Sequence, residues 1–385
     1  MRTILTAAVL ITGMAGVAAR PVSAQLIGIA VDPKARLIDG DVSPPRVRAA
    51  DSVVFIEAGD KAVRTIGKVA VPTSFQGPPS SVAIARDRRF ALVSATTRIN
   101  DAGTMVPNRS VAVIDLRGVA PRVSQTLTLA AAPSSLALAP DASFALVPHG
   151  DTDSMTVLGI AEGVASVRAT LPFAAGSKPL AAAIAPDGDH ALISFAGTNK
   201  VGVYAIRDGR PHLPALREIS TGVYPTVVAY CGGSGTAIVA NYGTVSGDAD
   251  TISLIDLTGA APRIVDTVTV GPSPEGAACA PDGRHAAAAV QNMSTVAKSD
   301  PFHRANSLVV LMRIDGKKLV RVTDAPIGGW AQGVGFLDDG RTLFAESIND
   351  RSVHFLRIAG DRLLPAFDPV VMADGGPVAH GIAGR

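Results

Sequence analysis

The chain has 385 residues, 47% apolar but only 4% aromatic, with 38 glycines and 27 prolines. Lys and Arg number 35 against 33 Asp and Glu, a near-neutral balance. It argues against a nucleic-acid partner, which needs a basic face, and against an acidic lipid surface. Small apolar residues with frequent turn formers suit many short strands rather than long helices.

The chain opens as a secretory signal reads. Met1 and Arg2 give a positive start, Thr3–Ala19 is apolar, and Val22-Ser23-Ala24 is a small-residue cleavage pattern before Gln25. Residues 1–24 are therefore expected to be removed and the mature protein to be periplasmic or secreted. Cleavage takes away Arg2 and Arg20, so 35 and 33 become 33 and 33. No later segment is apolar for long enough to span a bilayer, so no membrane span is expected in the mature chain.

From Pro79 onward a nine-residue phrase recurs. It reads PSSVAIARD (79–87), PSSLALAPD (133–141), PLAAAIAPD (179–187), PTVVAYCGG (225–233), PEGAACAPD (274–282), AQGVGFLDD (331–339) and PVAHGIAGR (377–385). Start-to-start spacings of 54, 46, 46, 49, 57 and 46 residues match one four-stranded propeller blade. Each phrase predicts a strand and then a tight turn. A second strand follows, such as FALVSA (90–95) or TAIVAN (236–241). After a polar loop comes a third, such as SVAVIDL (110–116) or TISLIDL (251–257), and then a fourth, such as RIVDTVTV (263–270).

The seventh phrase has no chain after it, and the N-terminal segment holds the missing strands: QLIGIAVD (25–32), DSVVFIEAG (51–59) and AVRTIGKVAV (62–71). The expected fold is all-β: one domain over 25–385, a seven-bladed β-propeller of four-stranded antiparallel blades. N- and C-terminal strands share one blade and close the ring, which removes the sheet edges.

The phrase P-x-x-x-A-x-A-P-D-G, a strand ending Ile238-Val239-Ala240-Asn241, and Ile252-Ser253-Leu254-Ile255-Asp256 resemble the YVTN repeat of lactonase-like propellers. The resemblance covers residues 25–385 and implies a seven-bladed, often extracytoplasmic propeller. It also implies a lactone hydrolase or lactonising enzyme as one role.

Antiparallel strands place the second-to-third loops and the blade connections on one face, here the loop face; the Asp-Gly turns occupy the opposite, turn face. Function prefers long loops on a rigid scaffold, and the longest are expected at Thr96–Arg109 and Asn292–Asn306. The expected catalytic set at the channel mouth is Glu275, Glu346, His149 and Arg98, residue types that polarise a carbonyl and activate water. The expected ligand-binding set is Tyr224, Asn241, Gln291, Trp330, Gln332 and His380, with Trp330 read as a stacking ring or as a plug between blades. No zinc spacing, haem-attachment motif, calcium loop, nucleophile elbow or phosphate loop occurs, so neither a metal nor a cofactor is expected. Cys231 is the seventh residue of its phrase and Cys279 the sixth of the next. That offset should aim them to opposite sides of their strands, as buried free thiols.

On the residues alone, the first expectation is an exported binding or scaffold module that takes a small molecule or another periplasmic protein on the loop face. The alternatives are the lactone enzyme and an accessory subunit of a periplasmic dehydrogenase.

Overall fold

The computed structural model describes residues 24–259 and 261–384. Of the expected signal segment, residues 1–24, all but Ala24 lie outside them. Seven antiparallel sheets form a ring, each starting with one of the seven repeated phrases. Blade 1 runs Val82–Ile84, Phe90–Ile99, Met105–Asp115 and Arg122–Thr128; blade 4 runs Pro225–Tyr230, Thr236–Asn241, Asp250–Asp256 and Arg263–Gly271. The outermost strand of blade 3 is split into Arg210–Pro211 and Arg217–Ser220.

Ring closure follows the sequence reading. Gly376–Ile382 pairs with Gln25–Asp32, in register Ile27 to Ile382 and Ile29 to His380. Gln25–Asp32 then pairs with Ser52–Ala58, and that strand with Val63–Ala70. Blade 7 is thus one strand from the C-terminus and three from the N-terminus.

Burial grades outward along each blade. Second strands such as Phe144–His149 are buried throughout, whereas the outermost strand Val63–Ala70 holds only exposed and half-buried positions. Blades pack face against face, so strands two and three read as near-continuous apolar runs. Phe55 and Val53 of blade 7, for example, pack on Ile84, Ala91 and Val93 of blade 1.

Two expectations need correction. Thr96–Arg109 is not a long loop. Strands two and three of blade 1 continue past the blade, with Thr97, Arg98 and Ile99 paired to Pro107, Val106 and Met105, and only Asn100–Thr104 turns. The cysteines are not free thiols either: Cys231 and Cys279 form a disulfide, Cα to Cα 4.9 Å. The one-residue offset does send them to opposite faces of equivalent strands. In a ring, however, blade 4 shows blade 5 one face and blade 5 answers with the other, so the offset is what brings the two sulfurs together.

Candidate functional site

A left-handed residue stands just before the phrase in several blades: Lys178, Tyr224, Ser273 and Trp330, with φ between 50° and 59°. Side chains from the preceding loop hold these corners. Asp153 accepts from the Gly176 and Lys178 amides, Asn199 from the Tyr224 amide, and Asp250 from the Ser273 amide. The acidic loop residues Asp153 and Asp250 thus act as backbone caps.

The connection from blade 7 to blade 1, residues 71–81, is not a simple corner. It crosses the loop-face end of the channel as a strap. Gln332 Nε2 of blade 6 donates to the Phe75 carbonyl at 3.0 Å. Phe75 packs edge-on against Trp330, ring centroids 5.6 Å apart. The Pro79 ring stands beside Gly276 of blade 5, where a Cβ would come within 3.3 Å of it. Trp330 is accordingly buried, 6% exposed, and acts as the plug of the two readings offered for it.

A buried charge cluster anchors the strap's root. Lys34, 2% exposed, pairs with Asp32 at 2.9 Å and with Asp51, and donates to the Thr73 carbonyl at 3.1 Å. The Thr73 amide donates to Asp51 and the Phe75 amide to Asp32. Burial raises the Asp32 carboxyl above its ordinary value against the pull of Lys34.

Beside the strap, at the loop-face rim, sits a polar cluster. Gln291 Nε2 donates to Glu275 Oε2 at 3.2 Å, and the Tyr242 hydroxyl donates to Gln291 Oε1 at 3.1 Å. The Tyr224 ring lies 6.1 Å from that of Tyr242. Glu275 keeps some solvent-accessible surface, but crowding by protein desolvates its charge and pushes its pKa up to about 8. Burial, with Glu275 adding to it, also raises both tyrosines.

One blade further round, deeper in the wall, lies a second pair. Glu346 is fully buried on the second strand of blade 6, and its Oε1 lies 3.1 Å from His380 Nδ1 on the first strand of blade 7. The Gly333 amide holds the other oxygen, Oε2, at 3.0 Å. The His380 ring rests edge-on against Phe344 at 4.8 Å. Glycine is required at 333, because a Cβ there would stand 2.6 Å from Glu346 Oε2 and 2.8 Å from His380 Nδ1. With Nδ1 engaged, Nε2 is the ring nitrogen left for a molecule in the channel. A carboxylate that fixes an imidazole in this way sets its tautomer and its orientation.

His380 lines a cavity of about 490 Å³ that occupies the rest of the channel. Its other walls come from the first strands of all seven blades, and its mouth, with Arg86, Pro140, Pro186 and Asp338, lies among the turns. This cavity therefore opens on the turn face, opposite to the loop face on which the sequence places the site.

The expected site residues separate into three groups. Glu346 and His380 form the cavity pair. Glu275, Gln291 and Tyr224 form the rim cluster, while Gln332 and Trp330 hold the strap. His149, Asn241 and Arg98 join none of these. His149 is 1% exposed, with Nδ1 3.0 Å from the Ala132 carbonyl and Nε2 2.8 Å from Thr156 Oγ1; burial lowers its pKa. Asn241 donates to Thr251 and Ser253 inside blade 4. Arg98 is exposed on the projecting hairpin. Sequence reasoning missed Lys34, Asp32 and Asp51; Lys34 flanked by apolar strands was the available signal. Among the described residues, no group of three or more His, Cys, Asp or Glu is placed to hold a metal ion.

No protein-family model matches the chain, and no curated protein matches it. Among solved structures, a Bacteroides fragilis protein provisionally named a 6-phosphogluconolactonase superposes with a TM-score of 0.71 at 13% identity, over 94% of this chain and 98% of that one. The periplasmic gluconolactonase of Pseudomonas aeruginosa gives 0.67 at 15% identity, over 93% and 99%. A protein of unknown function from Desulfotomaculum acetoxidans gives 0.65 at 16%, over 93% and 98%. The chain is a seven-bladed β-propeller and shares its fold with these three structures.

Proposed function

We propose that the protein hydrolyses small lactones in the central channel, with His380 as general base and Glu346 as the residue that positions it. The observation that carries this reading is the fully buried Glu346 carboxylate on His380 Nδ1, beside a cavity that His380 lines. The names of two propellers of like fold support it over the binding-module reading.

In this reading Nδ1–H donates to Glu346, and Nε2 accepts a proton from water as the oxygen attacks the lactone carbonyl. Glu346 stabilises the imidazolium that forms. The acyl carbon–ring oxygen bond then breaks, His380 returns the proton to the departing oxygen, and a hydroxy acid leaves. General-base help of this kind contributes roughly 10²–10⁴-fold. The test is base consumption at constant pH with a panel of lactones. Wild type should turn over at least one. His380→Gln should lose roughly 10²-fold or more, and Glu346→Gln should lose less. A folded wild type inert on the whole panel refutes the reading.

We also propose that the protein is exported and cleaved after Ala24. The Cys231–Cys279 disulfide supports this, because such bonds persist in oxidising compartments. Edman sequencing of the mature protein from a periplasmic fraction should begin at Gln25; an intact Met1 in the cytoplasm overturns the proposal.

A further inference from the structure

Resting on the hydrolase reading, we infer that the ligand of the cavity is an apolar lactone, a ring carrying an alkyl chain, and not a polyhydroxylated sugar lactone. The cavity runs from His380 at its inner end to the turn face. The wall between is built from the fourth to sixth positions of each repeated phrase, and these are apolar in nearly every blade: Leu136, Leu138, Ile184, Val228, Phe336 and Ile382 are representative. The polar side chains lining it are few. His380 stands at the inner end, Tyr230 lower in the wall, and Arg86 and Asp338 at the mouth among the turns.

That distribution suits one kind of guest. A sugar lactone carries a hydroxyl on nearly every carbon, and each one buried without a partner weakens binding. An alkyl chain needs no partner, and each methylene it buries strengthens binding by about fourfold. The volume, about 490 Å³, lies in the range of pockets that enclose small molecules and is too small for a folded protein segment. The orientation follows from the blocked end. The strap closes the loop face through Phe75 and Pro79, so the guest enters from the turn face. Its lactone carbonyl is then innermost, at His380, with the alkyl chain pointing back along the apolar wall.

The experiment separates this inference from the reading it rests on. Binding of δ-decalactone and of glucono-δ-lactone is measured by saturation-transfer NMR on His380→Gln, which removes the base but keeps the cavity, and hydrolysis of both on the wild type. The wall is tested with Ala183→Trp, which fills the cavity from blade 3, and with Ala229→Phe from blade 4; either is used if its melting matches the wild type. Expected are binding of decalactone to His380→Gln, wild-type kcat/KM at least tenfold higher for decalactone than for gluconolactone, and a tenfold or greater rise in KM for decalactone in the filled variant. Binding of decalactone without any hydrolysis keeps the inference and removes the enzyme. Hydrolysis of gluconolactone in preference, unchanged by the filled cavity, overturns the inference and keeps the enzyme. Neither binding nor hydrolysis of either compound removes both.

Discussion

The two ends of the channel are built from the same repeated strand, yet they differ in kind. At the loop face a strap crosses the channel, a buried Lys34–Asp32–Asp51 cluster anchors it, and the polar Glu275 group sits beside it. At the turn face none of the described residues crosses the channel, which widens into an apolar cavity. The difference comes from one irregular connection, residues 71–81, and not from the blades themselves. In a closed ring, a single connection decides which end is plugged and therefore which end is available.

The sharpest test of this contrast sets the cavity histidine against the rim carboxyl group. His380→Gln, at the cavity, should cost roughly 10²-fold or more in lactone kcat/KM, while Glu275→Gln, at the plugged rim, should change it less than about threefold. A reversed order would move the site to the loop face. Next in size is the strap's root. Lys34→Met leaves Asp32 and Asp51 without their cation and should destabilise the fold by about 3 kcal/mol or more. Hydrogen exchange should rise first at Thr73–Ser81, while binding at the cavity survives; equal exchange around the whole ring would deny the strap its separate character.

The disulfide tests the other end. Cys279 lines the cavity and ties blade 5 to blade 4. Cys231→Ser paired with Cys279→Ser should lower stability by about 2–4 kcal/mol in chemical denaturation, with the rim tyrosine signals unchanged. A change at the rim of the same size would show the two ends to be one cooperative unit.

The smallest effect concerns Glu275 and pH. Its folded pKa, about 8, lies above the ordinary value of 4.5. The native state therefore holds this proton more tightly than the unfolded chain does. The stability this provides is complete below about pH 4.5 and is lost as pH rises towards 8. Glu275→Gln, which cannot ionise, should gain on the wild type between pH 4 and pH 9, on the order of 2 °C for each kcal/mol recovered, and be level with it at pH 4. Parallel melting curves at both pH values would show that Glu275 ionises freely.

Much of the fold is legible in the chain because each blade repeats a local rule. Short apolar strands, Asp-Gly turns and a spacing near 50 residues are local properties, and seven copies of the first strand with six complete sets force the closure that pairs Ile27 with Ile382. Candidate residues were legible in type but not in grouping. Glu275 and Glu346 stand out as carboxylates near the channel. Their separation into a rim group and a cavity pair depends on depth along neighbouring strands, which spacing alone does not give. His149 has the residue type of a base, but partners on both ring nitrogens make it a structural residue of blade 2.

The sequence by itself determined the blade number and the shared last blade, because repeat length and strand order are written in consecutive residues. Only the tertiary structure decided that Cys231 meets Cys279, that Glu346 holds His380 and that residues 71–81 plug one end. Each of these joins residues of different blades, and their contact is set by how faces oppose one another in space, which no local pattern encodes.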